Sequence, residues 1–61
     1  SGVDIGAALN RLPDPESYEY DEIQQWSPSL GGLLLTFRRQ THNKGKTVRT
    51  FWAAVKAERP T

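Results

Sequence analysis

The chain has 61 residues, with eight lysines and arginines against seven aspartates and glutamates, one histidine and no cysteine. A length of this order makes one small domain, residues 1–61, which buries only about 60% of the surface its unfolded chain exposes. The missing cysteines rule out disulfides and thiolate metal sites, and His42 alone cannot build a multi-histidine zinc site. Of the staples that small scaffolds use, association with a partner is the one left.

Residues 3–12 read as a short helix. Asp4 is a suitable N-cap, and Ile5, Ala8, Leu9 and Leu12 share one apolar face. Pro13 pushes Leu12 out of helical geometry, so the helix is expected to end near Arg11. Pro13-Asp14-Pro15 reads as a rigid turn.

Residues 15–26 admit two readings. Tyr18 and Tyr20 alternate with Glu19 and Asp21, as in a strand, and a bulge near Asp21-Glu22 would put Ile23 on the face of Tyr20. Asp14-Pro15-Glu16 is also a good helix start, with Tyr20, Ile23 and Trp26 on one stripe. The strand is the favoured reading.

Ser27 to Gly32 is a turn by composition. Leu33 to Gln40 is a strand, with Leu33, Leu35 and Phe37 on one face and Leu34, Thr36 and Arg38 on the other. His42 to Lys46 reads as a hairpin loop with Gly45 free to adopt positive φ, and Thr47 to Trp52 as the returning strand. Residues 53–59 suit a helix by propensity, or a continued strand paired with Leu33–Thr36. Pro60 ends either one. The expected fold is therefore α+β: a short N-terminal helix with a three-stranded antiparallel β-meander, the C-terminal segment being strand or helix.

The charges divide along the chain. Residues 1–30 carry six acids against Arg11, a balance of −5, whereas residues 31–61 carry seven bases against Glu58, a balance of +6. Such asymmetry points to a polyanion partner for the basic half, or to contact between the halves, within one chain or between two.

No constellation of catalytic groups is evident. No acid lies near His42 in sequence to orient it as a general base, and the Glu16–Glu22 acids lack the ligand spacing and glycine of a calcium loop. Gly31-Gly32 is not followed by the lysine of a phosphate-binding loop. The reading is a non-enzymatic binding module with no metal, cofactor or small-molecule substrate.

The hairpin of residues 33–52 carries the positive signal. Arg38, Arg39, His42, Asn43, Lys44, Lys46 and Arg49 are the candidate nucleic-acid-binding residues, since a basic two-stranded ribbon fits a major groove. Phe37, Phe51 and Trp52 lie close enough to stack on exposed bases, although a core this small has its own need of Phe37 and Trp52. In outline a helix with a three-stranded sheet is similar to small DNA-binding modules that lay a sheet in the major groove, but no residue motif matches one. The alternative function is a protein–protein interaction or homo-oligomerisation domain of a larger regulatory or structural assembly, docking on an acidic protein surface or forming a homodimer.

The lack of cysteine fits a reducing intracellular compartment, cytoplasmic or nuclear. The longest apolar run, Leu33-Leu34-Leu35, is far short of the roughly 20 residues that cross a bilayer. Residues 1–12 have neither the basic start nor the apolar stretch of a signal peptide. Ser1-Gly2 fits a scar left by tag removal, in which case the domain is excised from a longer protein.

Overall fold

The computed structural model describes residues 2–28 and 31–59, with the backbone alone described for residues 2–4. The elements are α1 (Gly2–Asn10), β1 (Glu22–Ser27), β2 (Leu33–Lys44) and β3 (Thr47–Glu58). The strands form one antiparallel sheet in the order β1-β2-β3, the expected meander beside one helix.

The helix begins before Asp4, which lies within it rather than at its N-cap. Its end is tightened by i→i−3 bonds: the Arg11 N–H donates to the Ala8 carbonyl and Leu12 to Leu9, both at 3.1 Å. Pro13 then supplies no N–H to carry it further. Ala8 is fully buried against Leu35, Phe37 and Trp52, and Leu9, Leu12, Tyr18, Ile23 and Leu33 pack around that cluster. Phe37 and Trp52 are thus core residues, and neither presents a free ring face for stacking.

Neither reading of residues 15–26 holds in full. Asp14 does cap a turn: its Oδ1 accepts from the Glu16 N–H at 3.0 Å, and its carbonyl from Ser17 and Tyr18 at 3.2 Å. The turn does not propagate, and Tyr18 and Tyr20 lie in irregular chain before β1. The reason lies across the sheet. The Arg39 guanidinium donates to the carbonyls of Pro15 at 2.7 Å, Tyr18 at 2.6 Å and Tyr20 at 2.7 Å, and to Asp21 Oδ1 at 3.0 Å. In a helix those three carbonyls would accept from residues four further on. Arginine's planar fork satisfies them instead.

Trp52 completes this arrangement. Its indole Nε1 donates to the Pro13 carbonyl at 2.8 Å, Tyr18 meets it edge-on at 5.6 Å, and Arg39 lies 5.8 Å from its ring centroid. The loop 13–21 is therefore fixed to the sheet by one arginine and one tryptophan.

The hairpin also differs from its expected form. Lys44 pairs with Thr47, so the connection is the two residues Gly45-Lys46, and His42, Asn43 and Lys44 belong to β2. Gly45 has φ +63° and Lys46 does not share a positive φ, the signature of a II′ turn with glycine at its first central position. At the other end β3 runs on through residues 53–58, because Leu34, Leu35 and Thr36 take Glu58, Ala57 and Lys56 as partners. The bulge falls there, with Val55 extra between the Thr36–Lys56 and Phe37–Ala54 pairs, and not at Asp21-Glu22. Of the expected Ser27–Gly32 turn, Ser27 closes β1, and Ser29 and Leu30 lie outside the described residues, as does Pro60.

β1 pairs with β2 only as far as Arg38, so the rest of the hairpin stands clear of it as a two-stranded arm. The molecule is accordingly long, 43 × 23 × 16 Å, with a radius of gyration of 12.7 Å where a compact chain of this length has about 10.5 Å. Among the described residues no helix is long and apolar enough to cross a membrane.

Removing the Arg39 fork leaves three carbonyls without their donors and uncovers Trp52. Arg39→Ala is expected to lower unfolding free energy by about 2–3 kcal/mol in a urea titration. Arg39→Lys should recover less than half of that, because an ammonium cannot reproduce the fork. Full recovery by lysine would mean that charge alone matters at this position.

Candidate nucleic-acid interface

Strand alternation and the observed register divide the hairpin residues between two faces. Arg38, Gln40, His42 and Lys44 of β2 share a face with their partners Ala53, Phe51, Arg49 and Thr47. This is the face turned away from the core. Arg39, Thr41 and Asn43 share the other with Trp52, Thr50 and Val48.

The seven candidate residues therefore separate into groups. His42 and Arg49 are direct cross-strand partners, with Lys44 next to them on the same face and Lys46 in the turn. All four are exposed. Arg38 shares their face but forms an ion pair with its cross-strand partner Glu22. Asn43 is exposed on the opposite face. Arg39 is withdrawn altogether: its side chain is 20% exposed, and its donors go to the loop and to Asp21. The two charge halves thus meet within one chain at Arg38–Glu22 and Arg39–Asp21. What remains free is concentrated towards the tip.

From Ile23 to Ala57 the sequence holds no acid, while Arg38, Arg39, Lys44, Lys46, Arg49 and Lys56 all fall within that stretch. The arm from Gln40 to Arg49 has one apolar side chain, Val48, which is 61% exposed. Two further residues join the outer face. Trp26, opposite Leu34 on β1, is 51% exposed, and Lys56 on β3 is exposed and 3.5 Å from Glu58. Trp26 lies over Gly32, whose missing Cβ would sit 3.0 Å from its ring, and the φ of +83° there also demands glycine. The alternation Glu22–Gln24–Trp26 carries this placement, but only once the strand is known to start at Glu22.

An open hollow of about 660 Å³ lies between residues 9–15 and β3, lined by Leu9, Leu12 and Trp52 and also by Asp14, His42 and Arg49. Arg49 and His42 thus border a depression of mixed apolar and polar lining as well as the outer face.

No family model matches this chain, and no curated protein or solved structure matches it.

If the arm cations are free, they can be removed without harm to the fold. Lys44→Ala, Lys46→Ala and Arg49→Ala are each expected to change stability by less than about 1 kcal/mol, as exposed charges do. A loss near that of Arg39→Ala at any of them, read by urea denaturation, would show a structural role there.

Proposed function

We propose that the chain is a non-enzymatic nucleic-acid-binding module that works through the outer face and tip of the β2–β3 hairpin. One observation carries the reading: His42, Lys44, Lys46 and Arg49 are exposed together on an acid-free ribbon that projects past β1. Lys44, Lys46 and Arg49 would displace counterions from phosphates, and the ribbon has the dimensions a major groove admits. Gln40 would reach base edges from the outer face, and Asn43 from the other side of the ribbon near its tip. The polar character of the arm supports this over an apolar dimer contact, which calls for a hydrophobic patch at its centre. An intracellular location, cytoplasmic or nuclear, goes with this reading.

A protein partner is the second reading, favoured by the open edge of β3, the outer strand of the sheet. Light scattering over a range of concentrations tests whether that partner is a second copy, since a monomer at high micromolar concentration excludes one.

The salt dependence of binding tests the first reading. With three permanent cations on the arm, log affinity for a 16-base-pair duplex should fall against log salt with a slope of about −3. The combined Lys44→Gln, Lys46→Gln and Arg49→Gln variant should lose binding at about 50 mM salt while retaining its fold. Fluorescence anisotropy showing no duplex or single-strand binding by the parent chain at that salt would end the proposal.

A further inference from the structure

The backbone of β3 has an unused side whose position can be stated. The Arg39 N–H donates to the Asp21 carbonyl at 2.8 Å, towards β1. The Arg39–Trp52 pair is therefore one that exchanges no ladder hydrogen bonds, and Trp52 turns its N–H and C=O away from β2. Thr50, two residues along the same regular stretch, does likewise. These groups face the open edge, where no strand follows β3 among the described residues.

Exposed edges are ordinarily blunted by bulges, lysines or covering segments. β3 has such protection at one end only. The bulge at Val55 and the exposed Lys56 disrupt residues 54–58, while residues 47–53 are regular. The hollow adjoins the regular part, since Thr50 and Trp52 line it together with Leu9, Leu12, His42 and Arg49.

The two faces of that edge ask for different side chains. Towards the helix lie Leu9, Leu12 and Trp52, with Asp14 beside them to disfavour a carboxylate on that side, and towards the outer face Arg49, His42 and Lys44. A strand added to β3 would place successive side chains alternately on these faces. We propose that the outer edge of β3 between Val48 and Ala53 receives, as a fourth strand, an extended peptide of alternating acidic and apolar residues. Its apolar residues enter the hollow and its carboxylates meet Arg49, Lys44 and His42. Charge complementarity selects this occupant over a second copy of the same edge, which would bring Arg49 and Lys44 towards their own equivalents. The inference goes beyond the nucleic-acid reading. Because Arg49 and Lys44 serve both partners, peptide and nucleic acid would compete.

The probe is the hexapeptide acetyl-Glu-Val-Glu-Leu-Glu-Val-amide, titrated into the full chain with amide chemical shifts and tryptophan emission as readouts. Saturable shifts at Val48–Ala53 and Leu9–Leu12 are expected. The counterpart with lysine in place of glutamate should bind at least about tenfold more weakly. So should a version N-methylated at alternate residues on its pairing edge, which cannot form the ladder. Thr50→Pro should abolish binding by removing an outward N–H that β2 does not use. Arg49→Glu should lose about tenfold for the acidic peptide and gain for the lysine counterpart. Equal binding of the plain and N-methylated peptides overturns strand addition without recourse to any protein variant. Equal binding of poly-glutamate, or shifts at these residues produced by hexathymidylate and not by the peptide, also overturns it. Peptide binding that persists when duplex DNA fails to bind supports this inference while removing the nucleic-acid one, and DNA binding without peptide binding does the reverse.

Discussion

The guanidinium of Arg39 decides how the acidic half of this chain is organised. Loop 13–21 exposes a series of carbonyls that an extended helix would have paired internally. Arg39 accepts that obligation from the middle strand, with three carbonyls and one carboxylate at hydrogen-bonding distance. A planar donor fork lying beside an indole suits the task. It is less strongly hydrated than an ammonium, and its apolar faces can lie against a ring while its edges donate. The same contact lets Trp52 close the core, because the loop it fixes supplies Tyr18 against the indole edge and the Pro13 carbonyl for its N–H.

That arrangement also redistributes charge. Arg39 and Arg38 belong to the basic half by sequence, but their partners Asp21 and Glu22 belong to the acidic half. The segregation seen along the chain is thus partly an internal pairing, and it is spent near the junction of β1 with β2. Beyond that junction neither strand of the arm carries an acid of its own, and β1 no longer covers β2. Among the described residues Lys44, Lys46 and Arg49 form no ion pair, for the same geometric reason that the arm projects.

Much of the fold was legible because it rests on local pattern. Leu33, Leu35 and Phe37 alternate with Leu34, Thr36 and Arg38, and Gly45 marks the reversal, so the hairpin and its two core aromatics follow from period and turn chemistry. The misread segments are those decided at a distance. Asp14-Pro15 does begin a helical turn, and nothing within residues 15–26 announces that an arginine 24 residues from Pro15 will take its carbonyl. By sequence the tip reads as a loop because His42, Asn43 and Lys44 are polar on both faces, which removes the alternation that identifies a strand. The candidate site was half legible. Counting bases located the ribbon, but neighbouring arginines on opposite faces have opposite fates, and only register separates the tethered Arg39 from the exposed Arg49.

The arm raises a question of stability that bears on its use. A domain of this length has about 3–9 kcal/mol to hold it folded, and its described core is Ala8, Leu35, Phe37 and Trp52 with their immediate neighbours. None of these lies beyond Trp52 towards the tip. A two-stranded ribbon with both edges free is marginal by itself, and this one sets Lys44 diagonally across from Arg49 on one face with Lys46 in the turn, so its own charges favour separation over pairing. A partner that neutralises those charges or fills the free edge therefore stabilises the arm as it binds. At a hundredfold excess over its dissociation constant such a ligand adds about 2.7 kcal/mol, a large share of what the domain has. Ordering of the arm and occupation of its cations are on this view a single equilibrium, and the residues that make the arm least stable alone are those that give its partner the most to gain.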